Sequence, residues 1–452
     1  MGSEYISPQA AQTSDGPSFA LITHAYQPGR VCMINLDLAG KPYHTGFSVV
    51  PGINQVITHQ VYEPILSEVE HLPPGLITSI YAPLRSYLKK NKPELFVHIQ
   101  EAVRNTPDRE YCVLGNPLVH LILPFLPPED QRMLLEAGKT AFIRDFGFAP
   151  KGLWLPETAV SKEVLHNAFL AGYEFVPLRD SQVTNIPPGI DLDARHNVCM
   201  VKTGDDEEIA LLLGNSGLSG FVSYTPWSTH NAERFMEGRR EIEQAHGLNA
   251  LMMMDLELFG HHQVGADQFL NRALKIQEKY GFSPLNMRQI LKTFKQGKEA
   301  TYVDVIDNSS WSCPHNLGRW TGNCGCDNPS ESALRIKKEF YTSLMTMNNS
   351  VNSALDNVSF NWRKGFSRLF VRFADDIFIG GNFGPLLFET IQSHGDNEEQ
   401  AKLYLAKIEI MVGLTSCGWF FGGDDSPERN IPSAMIQGVK DLFPGILAEE
   451  KS

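Results

Sequence analysis

The run LMMMDLELFGHH, residues 251–262, is apolar for four residues and then meets Asp255, Glu257 and two histidines. GLWLPETAV, residues 152–160, is built alike and stops at one acid, Glu157. Continuous apolar runs of this length suit strands covered on both faces, as in parallel sheets. Burying a charge is costly, so an acid that ends such a run calls for a reason. The same pattern recurs along the chain. FALITH ends at His24, LFVHIQ near Gln100, YCVLGN near Asn116, YEFVPLRD at Arg179 and Asp180, IALLLGN at Asn215 and TYVDVID near Asp307. Helix-like stretches such as PPEDQRMLLEAGKTAFIRDFG, SKEVLHNAFLAGY and GADQFLNRALKIQEKYG alternate with them.

Seven or eight such βα units over roughly 300 residues predict a closed or nearly closed β/α barrel, whose active site lies at the carboxyl ends of the strands. A doubly wound open sheet is the alternative, but no Gly-rich dinucleotide fingerprint follows the first strand. From about residue 330 the apolar residues recur at three- and four-residue steps, which predicts helices packed on the barrel. The expected division is a disordered polar segment at 1–17, a catalytic barrel at 18–328 and a helical domain at 329–452. The leading segment has no basic region followed by an apolar core, so it does not read as a signal peptide.

The composition bounds the partners. Of 452 residues, 42% are hydrophobic and 20% charged, an ordinary globular balance. A formal net charge of -13 and the lack of basic runs argue against nucleic acid. No apolar stretch is long enough to span a bilayer, so no membrane partner is expected. Seven cysteines in so long a chain read as reduced thiols, which places the protein in the cytoplasm.

Glu157 and Asp255 are the first chemical candidates. Glycosidic cleavage uses two carboxyl groups, one ionised and one protonated. They stand 98 residues apart (255 minus 157), so only a fold that gathers strand ends brings them together. The alternative is a pair of loop or helix-start acids. His24, His120, His261 and His262 are candidates for hydrogen bonds to sugar hydroxyls, against roles in the core or as caps. Trp154, Trp227, Trp311, Trp320 and Trp419 are candidate sugar platforms, against plain core packing. Cys313, His315, Cys324 and Cys326 are the right types for zinc, but one residue between Cys324 and Cys326 is an unusual spacing. A reduced, packed loop is the expectation there, with no metal and no cofactor. Arg319 and Trp320 of that loop are assigned to shaping the sugar site.

GLWLPETAV and MMDLELFGHH resemble two signature regions of glycoside hydrolase family 57, and HAYQP at 24–28 is similar to a third, with Tyr26 where the family has a second histidine. The segments 310–326 and 414–423 resemble a less characterised branch with its own C-terminal helical region. The resemblance covers roughly residues 19–320. It implies an incomplete (β/α)7 barrel followed by helices, action on α-linked glucan or oligosaccharide with retention, and no catalytic metal. It puts the nucleophile on Glu157 and the general acid/base on Asp255, with His24, Tyr26, Gln27 and Glu257 at the substrate. Retention asks for carboxyl groups about 5 to 5.5 Å apart. Asp255 must then stay protonated, which Met252 to Met254, Phe259 and the Glu157 charge are expected to favour. Hydrolysis is the leading expectation. Transfer or branching on the same site is the first alternative. A metal enzyme using Asp255, His261 and His262 and a non-catalytic glucan-binding protein are the others.

Overall fold

The computed structural model describes residues 17–28, 31–34, 45–48, 52–67, 69–190, 197–296, 300–322, 324–326, 328–359, 361–379, 398–420 and 427–446. The polar segment expected to be disordered lies outside them, apart from Pro17.

The barrel is built from β1 (Ser18–Ala25), β2 (Leu76–Ile80), β3 (Val113–Leu114), β4 (Phe175–Arg179), β5 (Val198–Lys202), β6 (Glu208–Gly214) and β7 (Ala250–Asp255). β1 pairs in parallel with β7 on one side and β2 on the other, and β2 pairs with β3. Parallel bridges from Gly115 to Leu153 and from Gly152 to Phe175 carry the sheet through the Glu157 segment to β4, which pairs with β6. The ring returns to β7 where the Asn215 N–H donates to the Leu251 carbonyl at 3.0 Å. Seven parallel segments thus encircle one core. The β6–β7 joint is the weak one because antiparallel β5 occupies the edge of β6 along residues 208–212. Gly214 allows the close approach there, since a Cβ would stand 2.6 Å from the Met253 Cβ.

Alternation sorts each strand into two layers. Ala20, Ile22, Ile77, Leu251, Met253, Leu212 and Phe175 fill the interior. Phe19, Leu21, Leu76, Met252 and Met254 face the surrounding helices. His24 continues the interior set of β1 and Asp255 that of β7, and the two are register partners. Parallel pairing at that register sets their side chains next to each other at the carboxyl end of the barrel.

Three sequence expectations change. LFVHIQ is not a strand: it lies in the helix Pro93–Asn105, where Pro93 opens the first turn and Leu95, Phe96, Ile99, Ala102 and Val103 face inward at helical spacing. The second strand is instead LITSI, which its central Thr78 and Ser79 disguised. Thr23 satisfies Thr78 by donating from Oγ1 at 2.9 Å. TYVDVID contributes only Asp304–Val305, antiparallel to Val183–Thr184 and outside the ring.

The expected helical region is present as α2 (Glu331–Val358), α3 (Trp362–Ile379), α4 (Glu398–Gly413) and α5 (Asn430–Leu442); α3 packs on α1 (Pro128–Phe146) of the barrel layer, and α4 packs between α2 and α5. One apolar cluster runs through both, joining Leu134, Leu135 and Leu178 to Leu344, Phe370, Tyr404 and Met411. A buried polar knot ties the same helices. Lys407 Nζ donates to Asp130 Oδ2 and Asn348 Oδ1 at 2.6 Å and to Asn352 Oδ1 at 2.7 Å, and Arg363 Nε donates to Asp130 Oδ1 at 3.0 Å.

Candidate active site

Glu157 sits in a turn that few side chains adopt. Its φ is 55° and that of Thr158 is 48°, the left-handed region that non-glycine residues enter at a cost. Local bonds hold the turn. Gln182 Nε2 donates to the Thr158 carbonyl at 2.9 Å, and Thr158 Oγ1 donates to Gln182 Oε1 at 2.8 Å. An antiparallel bridge from Val160 to Ser309 then lays the following loop over the turn. That loop delivers Ser312, whose Oγ donates to Glu157 Oε2 at 2.6 Å, and Trp311, whose Nε1 donates to the same oxygen at 3.3 Å. Ser416, from the turn after α4, donates its Oγ to Oε1 at 3.0 Å. Burial raises the Glu157 pKa above its ordinary value and the Ser312 hydroxyl opposes it; the Asp255 charge adds to the rise, while His24 and Ser416 act against it.

At the ends of β1 and β7, His24 Nε2 stands 2.6 Å from Asp255 Oδ1. Burial disfavours the imidazolium, but Asp255, with Glu257 and Glu157 behind it, outweighs burial and raises the His24 pKa. Burial likewise disfavours the Asp255 carboxylate, and His24, His262 and Arg179 overcome it, so its pKa is lowered. The Asp255 side chain is 48% exposed, with His24, His262 and Arg179 as charged neighbours. The apolar surroundings expected to keep Asp255 protonated are therefore not what it meets. Met252 and Met254 turn to the outer layer, and Phe259 stacks on Phe269 there.

Glu257 lies deeper, 5% exposed. Its Oε1 accepts from the Tyr26 N–H at 2.9 Å, from Gln27 Nε2 at 3.5 Å and from the Tyr62 hydroxyl. Burial pushes its pKa up to about 7, against the pull of His24. Tyr26, at the position where the family resemblance puts a histidine, stacks on His120 with centroids 4.0 Å apart. His120 Nδ1 meets Ser416 Oγ at 2.8 Å. The hydroxyl has one proton and directs it to Glu157, so His120 carries its ring proton on Nδ1. Burial and the neighbouring His24 hold the His120 pKa well below its ordinary value, consistent with that neutral ring.

The sequence candidates thus divide. His24, Tyr26, Gln27, His120, Trp154, Glu157, Asp255, Glu257 and Trp311 converge. Trp154 is fully buried and stacks on His24 at 4.7 Å. Exposed His262 is close enough to act on the Asp255 charge. Half-buried His261 meets Gln60 Oε1 through Nδ1 at 2.8 Å. Trp227 is exposed on the surface, and the remaining three lie apart, in the packing between the barrel and the helices. Trp320 is fully buried, Arg319 stacks over Phe420 at 4.2 Å, and Trp419 is buried with its Nε1 donating to the Gly413 carbonyl at 3.0 Å. Sequence reasoning passed over Arg179, Ser312 and Ser416. Arg179 ends β4 and lies 5.2 Å over the Trp311 ring, so the strand-end rule applied to it equally. The two serines carry no pattern.

Three carboxyl groups, two serine donors and two imidazoles, gathered at the carboxyl ends of a parallel barrel, are the parts for acid–base and nucleophilic chemistry. The family model for glycosyl hydrolase family 57 matches residues 37–304, and the chain belongs to that family. A 4-alpha-glucanotransferase of Thermococcus kodakarensis is 28% identical over 120 residues, which is 26% of this chain and 18% of that relative. Among solved structures, an exo-type maltose-forming amylase from Pyrococcus sp. ST04 superposes with a TM-score of 0.71 at 14% identity, over 96% of this chain and 81% of the other. A GH57-type branching enzyme from Pyrococcus horikoshii gives 0.54 at 14% identity, over 96% of each chain. At these identities the likeness to the two structures is one of fold.

Proposed function

We propose that the protein is a retaining enzyme acting on α-linked glucan, with Glu157 as nucleophile and Asp255 as general acid/base. The observation that carries this reading is the convergence of Glu157 and Asp255 at the carboxyl end of the barrel, where the Asp255 charge acts on Glu157 and both acids act on His24. In the first step Glu157 bonds to the anomeric carbon as the bond to the leaving oxygen breaks, and that oxygen takes a proton from Asp255. In the second, water gives a proton to Asp255 and displaces Glu157. Serine and tryptophan donors favour the ionised Glu157 that the first step needs. His24 Nε2, 2.6 Å from Asp255 Oδ1, is placed to pass a proton to that carboxylate. Three exposed side chains, Tyr224, Trp227 and Val264, offer apolar surface to a polysaccharide.

The similar proteins include an amylase, a glucanotransferase and a branching enzyme, and transfer on the same site is the second reading. A defined malto-oligosaccharide and amylose, incubated with the wild type and with Glu157→Gln, separate the two. Shorter products alone, lost in the variant, support hydrolysis. Longer or branched products, also lost, support transfer. Binding without conversion by the wild type would sink both and leave a glucan-binding protein.

A further inference from the structure

Cys313, His315, Cys324 and Cys326 have no part in the chemistry above. Their ligand atoms all lie within 4.8 Å of one another. The short helix Gly318–Thr321 turns the chain back so that residues 313–315 meet residues 324–326. Cys313 Sγ is 3.5 Å from Cys324 Sγ, and His315 Nδ1 is 3.3 Å from Cys324 Sγ and 3.4 Å from Cys326 Sγ. We propose that these four residues bind a structural zinc ion.

The distances are the first argument. A disulfide sets its sulfurs about 2.05 Å apart, so the 3.5 Å pair is not one. A tetrahedral zinc, with Zn–S of about 2.3 Å and Zn–N of about 2.0–2.1 Å, spaces its ligand atoms about 3.6–3.8 Å apart. The three separations of 3.3–3.5 Å fall within a few tenths of an ångström of that. Hydrogen-bonding capacity is the second. Nδ1 faces two sulfurs yet can take only one hydrogen or give one, so neutral thiols leave the cluster short of partners. A cation at the centre satisfies all four atoms at once. The third is the Cys326 N–H, which donates to Cys324 Sγ at 3.2 Å, the outer contact that orients a thiolate ligand.

The set of three cysteines and one histidine fills every position of a tetrahedral ion. A closed site of this kind holds structure and does no catalysis. Its location shows what it would hold. Cys313 directly follows Trp311 and Ser312, the two donors to Glu157 Oε2. Cys313 and Cys324 are buried, whereas His315 is exposed and Cys326 partly so, which lets a chelator reach the ion from one side. The turn brings the two halves together, and within the second half the one-residue spacing that argued against a metal lets the Cys326 N–H reach Cys324 Sγ.

The test is elemental analysis of the full chain, purified without a histidine tag from zinc-supplemented medium and passed through gel filtration. The expected result is one zinc per chain, and its loss in the Cys324→Ser/Cys326→Ser double variant. No zinc retained by the reduced wild type after reconstitution overturns the proposal, as does equal zinc in the variant or iron in place of zinc. If the variant does not fold, the wild type still decides. Zinc should leave in step with thiol modification by a mercurial. Cobalt in its place should give thiolate charge-transfer bands and the intense visible bands of a tetrahedral ion. Zinc released with the thiols untouched, or octahedral cobalt spectra, overturns it. None of these readouts depends on the glucan activity.

Discussion

Glu157 holds its carboxylate between three donors on a strained turn, and each donor comes from a distant part of the chain. Replacing it with glutamine keeps the size and an acceptor oxygen but removes the proposed nucleophile. Turnover on the accepted glucan should fall by a factor on the order of 10³ or more, with melting temperature held or raised. A smaller loss, measured by reducing-end release, would remove Glu157 from the nucleophile role. Glu257 permits a test by pH. Its pKa rises from 4.5 to about 7 on folding because burial disfavours the charge. Between those values the folded state holds more of the proton than the unfolded one, so this group makes stability fall as pH rises through the window. The Glu257→Gln variant accepts the same Tyr26 and Tyr62 donors without that cost. It should match the wild type below pH 4.5 and exceed it above pH 7 by about 3 kcal/mol at most. Chemical denaturation across this range checks it, and parallel pH slopes would contradict the burial argument.

Among the elements, the contact of α1 with α2, α3 and α4 buries one polar knot inside its apolar cluster. Lys407 and Asp130 are both fully buried, and burial pushes the Lys407 pKa down to about 8 despite Asp130 beside it. Removing one partner of a buried pair strands the other. Lys407→Ala should therefore cost about 3–5 kcal/mol, read from urea midpoints. Replacing Lys407 and Asp130 together by apolar residues should recover much of that. A loss below about 1 kcal/mol in the single variant would mean that Arg363 and the two asparagines carry Asp130 unaided. The loop over Glu157 is held differently, by backbone pairing with Val160 and by the residues that follow Ser312.

For the whole molecule, the helical region is part of the site as well as of the core. Ser416 reaches Glu157 from beyond α4, and the same turn pairs with the barrel through a bridge from Thr415 to Leu121. A chain stopped at residue 330 would expose Leu134, Leu135 and Leu178, which now pack in one cluster with the helices. It should be found in the insoluble fraction and show no glucan conversion. A soluble, active fragment would show that the barrel completes its cleft alone. That outcome is decided by a sedimentation assay and a product assay on the same preparation.

Local pattern carried much of this protein. The alternation of apolar runs and helical periods announced a parallel barrel with its polar residues at the strand ends. Applying that rule singled out His24, Glu157 and Asp255. It failed where a short window fits both periods, as in LFVHIQ, and where two polar residues interrupt a buried strand, as in LITSI. Tertiary structure decided what no local window contains. Register alone sets His24 beside Asp255 and so lowers the pKa of an acid that apolar neighbours in sequence seemed to raise. Packing sends Trp320 and Trp419 into the core, although their composition suited a sugar platform. Chain reversal gathers four zinc-type ligands whose spacing argued against them. The physical reason is common to all three: charge, burial and coordination depend on distances through space, and the sequence orders residues only along the chain.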